Sequence, residues 1–237
     1  GVSGMPADQA DTLAALGRGG SQLGDKLHRA LEDYLGNNLE MNEVLSSVSN
    51  KESWEQALRT IVSTPLPLGL DASEAPRVTL ESRRGKCITE MQFRMPTQGV
   101  SPASLSTALL ADPLISGQEQ RKAWAESVAH WGFTEFEGFL QGFIDLLFEH
   151  GGRWYVADYK SNTLPGYTPE EVEKAMRDHH YLLQSRLYCL ALHRHLQHHL
   201  AGYDPELHFG GVAYLFVRAF PDRGIWFDRP SPAALLA

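Results

Sequence analysis

Residues 142–162, GFIDLLFEHGGRWYVADYKSN, place runs of Phe, Ile, Leu, Val, Trp and Tyr on both sides of Gly151-Gly152. Aromatic and β-branched residues favour strands, and two glycines in succession suit a two-residue hairpin turn that needs positive φ twice. Such a turn also fixes the register of both arms. With the glycines at its centre, His150 faces Arg153, and stepping outward brings Asp145 opposite Asp158. Alternation then puts Ile144, Leu146, Phe148, Tyr155, Ala157 and Tyr159 on one face, which reads as continuous core. The other face carries Phe143, Asp145, Leu147, Val156, Asp158 and Lys160. Directly opposed side chains have Cβ atoms roughly 4.5–5.5 Å apart, where like charges repel. The spacing therefore predicts a positive group between the two aspartates.

A divalent cation meets that demand, because Mg²⁺ is held by one or two carboxylates together with waters and a substrate phosphate. Lys160 would lie beside it. The same residues could instead form a buried or half-buried ion-pair cluster without chemistry. That arrangement leaves unexplained why one lysine should serve two carboxylates in a sheet that could have used valines.

A chain of 237 residues with 43% hydrophobic content can build one substantial core. No apolar run approaches the ~18 residues of a membrane span, and no signal peptide opens the chain, so a cytoplasmic protein is expected. The small, polar start reads as a tag scar and linker over 1–18, ahead of one domain over 19–237. Cys87 and Cys189 are far apart and are expected as free thiols. A net charge of −8 argues against a surface coated in basic residues for nonspecific DNA binding.

Leu23, Leu27, Ala30, Leu31, Tyr34 and Leu35 recur at helical spacing, which predicts a helix over 21–36 with Ser21 as its cap and His28 beside the apolar stripe. A second helix is predicted over 51–62, ending before Pro65 and Pro67. Residues 86–95 alternate as a strand with Cys87, Met91, Phe93 and Met95 on one face and Glu90, Gln92 and Arg94 on the other. Residues 101–131 read as helical or irregular. Thr168-Pro-Glu-Glu opens a helical region, Pro169 in its first turn, that reaches about Leu200 with a break near 178–181. Residues 211–219 give a last buried strand, followed by an irregular Pro-rich end. Strands flanked by helices in this order indicate an α/β domain with a mixed central sheet and an N-terminal helical segment.

Other constellations carry less. Gly19–Gly24 followed by Asp25-Lys26 departs from a phosphate loop, which needs Lys directly after the second glycine. The run HRHLQHH, with His193, His195, His198 and His199, lacks an acid or Cys at ligand spacing and reads as a solvated surface. Arg83, Arg84 and Lys86 form a basic cluster suited to a phosphate backbone or to a hairpin turn. Gln184 and Tyr188 share a helix face, with Tyr181 one turn earlier.

Together, GFIDLLF, VADYKSN, HHYLLQSRLYCLALHRHL, the early LHRALE and FGGVAYLFVRAF resemble the PD-(D/E)XK nucleases, and within them the RecB-like nuclease domains. The Asp…Asp-x-Lys pattern, joined to Gln-x-x-x-Tyr and an upstream His, is what makes the resemblance specific. It implies a restriction-endonuclease-like fold. It also implies His28, Asp145 and Asp158 as side-chain metal ligands, the Tyr159 backbone carbonyl as a further one, and Asp145, Asp158 and Lys160 as the catalytic set. Gln184 and Tyr188 match the family's helix motif, as substrate-binding or supporting residues. Ile144 stands where the superfamily's name has proline, as is common among RecB-like members. Two cysteines cannot supply the four thiolates of the iron–sulfur cluster that some relatives carry.

The activity so implied is that of a Mg²⁺-dependent exodeoxyribonuclease with one or two ions, acting in double-strand break processing and recombinational repair in the bacterial cytoplasm. Its implied partners are DNA, a RecB-type helicase region, and RecC-like and RecD-like subunits. A catalytically silent docking module for those subunits is the rival, which the intact Asp145, Asp158 and Lys160 disfavour. A metallophosphoesterase acting on small substrates is a third.

Overall fold

The computed structural model describes residues 11–17, 20–71, 73–100 and 136–231. The expectation for 101–131 lies outside them. Three helices come first, α1 (Ser21–Leu31), α2 (Met41–Val44) and α3 (Lys51–Ser63), followed by a short antiparallel ribbon of β1 (Leu66–Pro67) and β2 (Arg77–Val78). A five-stranded sheet is built from β3 (Cys87–Val100), β4 (Phe136–His150), β5 (Arg153–Lys160), β6 (Phe209–Phe216) and β7 (Ile225–Asp228), side by side in chain order. The β5–β6 pair is parallel and all other neighbours are antiparallel. A parallel pair needs a crossover. Helices α4 (Pro169–Asp178) and α5 (Tyr181–His199) provide it, with α6 (Pro205–His208) leading into β6.

Each sheet face buries an apolar cluster, giving three layers. Leu146, Phe148, Tyr155, Ala157 and Tyr159 pack with Leu27, Leu31 and Leu35 and with Leu58 and Ile61 of α3. Ile144, Leu147, Val156, Val212 and Tyr214 pack with Met176 of α4 and Leu182, Cys189 and Leu192 of α5. The mixed sheet and N-terminal helical segment thus match the expected α/β class.

Local signals translate directly. Thr168 accepts from Glu171 N while the Glu171 side chain reaches back, a capping box with Pro169 in the first turn. The break between α4 and α5 is His180, at φ +59°. At the hairpin, Gly151 and Gly152 have φ of +61° and +82°, and the pairs run from His150–Arg153 to Leu146–Ala157 as the turn dictates. Two local expectations are corrected. Ser21 is the first helical residue rather than a cap, and the cap position is Gly20, which has no side chain. The irregular end contains β7, which covers the edge of β6.

The largest departure lies at Asp145. The β4–β5 ladder stops at Leu146–Ala157, so Asp145 and Asp158 are not a paired couple. On the other side, the β3–β4 pairing skips from Thr89–Leu146 to Met91–Ile144, and Glu90, at the skipped position, has φ +49°. The kink exchanges sheet faces on both strands. Cys87 packs toward α1 but Met91 and Phe93 pack toward α5, and Ile144 joins Leu147 rather than Leu146.

The segment expected as linker is anchored over 11–17. Leu13 is fully buried, Thr12 N donates to Arg218 O at 2.9 Å, and the buried Arg218 guanidinium binds Asp11 at 2.8 Å and Gly17 O at 3.0 Å. Residues 11–17 thus supply acceptors to the Arg218 guanidinium, which also donates to Ser161 O.

Candidate metal centre

The kink assembles the site. The His28 imidazole leaves α1 toward the end of β5, where Nε2 donates to the Tyr159 carbonyl at 3.0 Å and Nδ1 lies 3.4 Å from Asp145 Oδ1. The other oxygen of Asp145 accepts from Tyr159 N at 2.9 Å, the donor that the interrupted ladder would otherwise leave unpaired. Asp145 is thereby locked between a strand and a helix.

Glu90 completes this group. One ligand atom each from His28, Glu90 and Asp145 lies within 4.8 Å of the others, the one such convergence of three or more His, Cys, Asp or Glu among the described residues. Sequence alternation had put Glu90 with Gln92 and Arg94 on a polar strand face. Only its left-handed backbone, opposite Asp145, turns it inward, and nothing in CITEMQF announces that. Burial, and then the Asp145 charge, raise the Glu90 carboxyl pKa.

Asp158 and Lys160 form the adjoining half. Asp158 is 1% exposed. Lys160 Nζ is 2.7 Å from Asp158 Oδ2 as a charge contact, yet that buried oxygen has no hydrogen-bond partner. Burial pushes the Asp158 carboxyl up from 3.8 to about 7, aided by Asp145 and opposed by Lys160. Lys160 Nζ donates to Gln184 Oε1 at 3.1 Å, and Gln184 Nε2 donates to the Tyr188 hydroxyl at 2.8 Å. Gln184 and Tyr188 sit one turn apart on α5, so their helical spacing was enough to place them together.

The expected facing of the two aspartates is therefore corrected, while both carboxylates still border one candidate site. Each aspartate has its own positive partner, His28 for Asp145 and Lys160 for Asp158. Burial disfavours the His28 imidazolium, but the hydrogen bond and charge of Asp145, the charge of Asp158 and the Tyr159 carbonyl outweigh it, raising the pKa from 6.5 to about 9. At neutral pH the imidazolium balances charge where a bound cation would.

A divalent metal fits this donor set. The donors are carboxylate oxygens, one peptide carbonyl and one imidazole, which suit a hard or borderline cation. Asp158 Oδ2, buried and held by the Lys160 charge without a hydrogen bond of its own, is an oxygen that an ion would satisfy. Beside His28 and Glu90 opens a groove of about 780 Å³, lined also by Gly20, Ser21, Ser161 and Asn162, which gives access from solvent.

The remaining sequence candidates are occupied elsewhere. His193 is buried against the Tyr203 hydroxyl at 3.0 Å, while His198 and His199 are exposed. Arg84 clamps the Tyr34, Asn38 and Leu39 carbonyls, and Arg83 holds Glu149 O. Neither Cys87 nor Cys189 is in a disulfide.

Residues 7–231 match the family described as the PD-(D/E)XK nuclease superfamily. The chain is similar to the RecBCD enzyme subunit RecB of Escherichia coli (strain K12), 38% identical over 197 residues that cover 79% of this chain and 16% of that protein. The RecB subunit of Haemophilus influenzae is 32% identical over 228 residues, 90% of this chain and 18% of that protein. That of Mycolicibacterium smegmatis is 28% identical over 250 residues, 92% and 23% respectively. The chain thus spans less than a quarter of the length of these relatives.

Proposed function

The chain belongs to the PD-(D/E)XK nuclease superfamily, and from that membership we propose that it hydrolyses DNA phosphodiester bonds with Mg²⁺, as the exodeoxyribonuclease part of a helicase–nuclease assembly. The observation that carries this is the convergence of His28, Asp145 and the Tyr159 carbonyl beside the Asp158–Lys160 pair.

In this reading His28, Asp145, Asp158 and the Tyr159 carbonyl hold the cation, with Glu90 as an additional acceptor. A bound Mg²⁺ supplies Lewis-acid polarisation of a phosphate oxygen and makes a nearby water easier to deprotonate. Asp145 keeps its orientation through Tyr159 N, so its other oxygen, which faces His28, is already aimed at the site. Lys160 acts as a fixed positive charge that orients the attacking water and stabilises the oxygens of the reacting phosphate. Gln184 positions that ammonium, and Tyr188 positions Gln184.

The relatives bear the name of a RecBCD subunit, which supports a setting in which a RecB-type helicase region and RecC-like and RecD-like subunits deliver DNA to this site in the bacterial cytoplasm. The net charge of −8 agrees with DNA being gripped elsewhere. No helix among the described residues is long and apolar enough to cross a membrane.

The test is DNA degradation by wild type and Asp158→Asn, each with and without Mg²⁺. Cleavage should require Mg²⁺ and fall to background in the variant. Equal cleavage by both proteins would refute the assignment.

A further inference from the structure

Lys160 poses a physical problem. Among the described residues its one carboxylate partner is Asp158 at 2.7 Å, which is also one of the groups assigned to the cation. Once Asp158 turns to a divalent ion, the ammonium loses its counter-charge and faces a like charge at close range. Something neutral must hold it in place.

Two aromatic rings are placed to do so. Lys160 Nζ lies 4.0 Å from the centroid of the Tyr181 ring and 5.2 Å from that of Tyr214. The rings are stacked on each other, with centroids 5.8 Å apart and planes 28° from parallel. Trp226 meets Tyr214 edge-on at 5.8 Å, which backs the stack from β7. The fold positions both rings. Tyr214 pairs with Asp158 across β5 and β6, and Tyr181 opens α5 directly after the left-handed turn at His180. The Tyr214 hydroxyl also donates to Gln184 Oε1 at 3.0 Å, the same oxygen that accepts from Lys160.

Resting on the nuclease reading above, we propose that Tyr181 and Tyr214 are positioning residues, an aromatic seat that keeps the Lys160 ammonium at the reacting phosphate when Asp158 is engaged by the cation. A ring face attracts an ammonium without neutralising it. The lysine therefore retains its full charge for the phosphate, which a second carboxylate in the same place would cancel. Tyr181 supplies the ring face, while Tyr214 supplies a second face and fixes the Gln184 oxygen.

Tyr181 allows ring and hydroxyl to be separated, because its hydroxyl points away to Asn162 Oδ1 at 3.1 Å. The experiment uses the full chain as wild type, Tyr181→Phe and Tyr181→Leu, with Tyr181→Met replacing the leucine variant if that one does not fold. The first readout is metal-free NMR of the Lys160 ε-methylene, which a ring at this distance shifts upfield. The second is kcat and KM for DNA with Mg²⁺. The upfield shift should persist in the Phe variant and fall in the Leu variant to the smaller part that the Tyr214 ring supplies, with kcat lowered about tenfold by leucine alone and KM little changed, a loss equivalent to about 1.4 kcal/mol. Wild-type kcat in the Leu variant overturns the seat, as does equal impairment in Phe and Leu, which would assign the effect to the Asn162 contact. If wild type shows no Mg²⁺-dependent cleavage, or Lys160→Ala cleaves as fast as wild type, the nuclease reading fails instead. The NMR shift then still decides whether the rings seat the lysine.

Discussion

His28 Nε2 lies 3.0 Å from the carbonyl oxygen of Tyr159, joining the first helix to a strand residue 131 positions further along the chain. The same histidine reaches Asp145 through its other nitrogen, so one side chain spans two of the proposed ligands. Removing it should leave the sheet intact and weaken the cation site.

We expect His28→Ala and Glu90→Gln to lower Mn²⁺ affinity by at least about tenfold, the smaller end of what outer partners of metal ligands contribute. Mn²⁺ binding followed by electron paramagnetic resonance checks this directly, with circular dichroism confirming the fold. Wild-type affinity in His28→Ala would remove it from the ligand set.

The pH dependence of metal-free stability follows from two raised pKa values. For His28, burial is outweighed by Asp145 and its neighbours, so its folded pKa of about 9 exceeds the ordinary 6.5. Its stabilisation is complete below about pH 6.5 and is lost as pH rises through about 9. Asp158, raised by burial from 3.8 to about 7, favours the protonated folded form, so its contribution is present below about pH 3.8 and declines as pH rises through about 7. The gap in Tm between wild type and His28→Gln should therefore shrink between pH 6.5 and 9 without metal. Differential scanning fluorimetry across that interval measures it, and a widening gap contradicts the assignment.

Metal binding should also release protons, because an imidazolium cannot be a ligand. Isothermal titration calorimetry with Mn²⁺ in buffers of different ionisation enthalpy gives the number. At neutral pH we expect a net release of roughly one to two protons in wild type, one from His28 and part of one from Asp158, and a smaller release in His28→Gln.

Lys160→Met should fold, since the replacement fills a similar volume, while losing the fixed positive charge. A loss of on the order of 10²–10³ in kcat, the usual size for removing one preorganised stabilising group, is expected with little change in KM. Single-turnover cleavage of labelled DNA separates that from a binding defect.

The sheet that carries the site is sensitive at Gly210, where a Cβ would stand 2.6 Å from the Trp154 backbone oxygen. Backbone cannot yield as a side chain does, so Gly210→Ala should cost about 1–3 kcal/mol or more in urea unfolding. Gly24→Ala, whose new Cβ would meet only the Ser161 hydroxyl at 3.3 Å, is the tolerated control.

The sequence alone determined the parts whose geometry is local. Gly151-Gly152 fixed five cross-strand pairs, from His150–Arg153 to Leu146–Ala157, because a two-residue turn leaves no freedom of register. Helical spacing likewise put Gln184 beside Tyr188, and alternation gave the apolar faces as far as Leu146. The tertiary structure decided what lies beyond that point. Strand periodicity assumes an unbroken ladder, and here the Asp145 carboxylate takes the Tyr159 N–H while Glu90 turns left-handed opposite it. That exchange moves Ile144 to the other face, brings Glu90 inward and gives each aspartate its own basic side-chain partner, His28 or Lys160. No short-range pattern encodes it, because the competing partners come from α1, β3, β4 and β5 and meet only when the layers close.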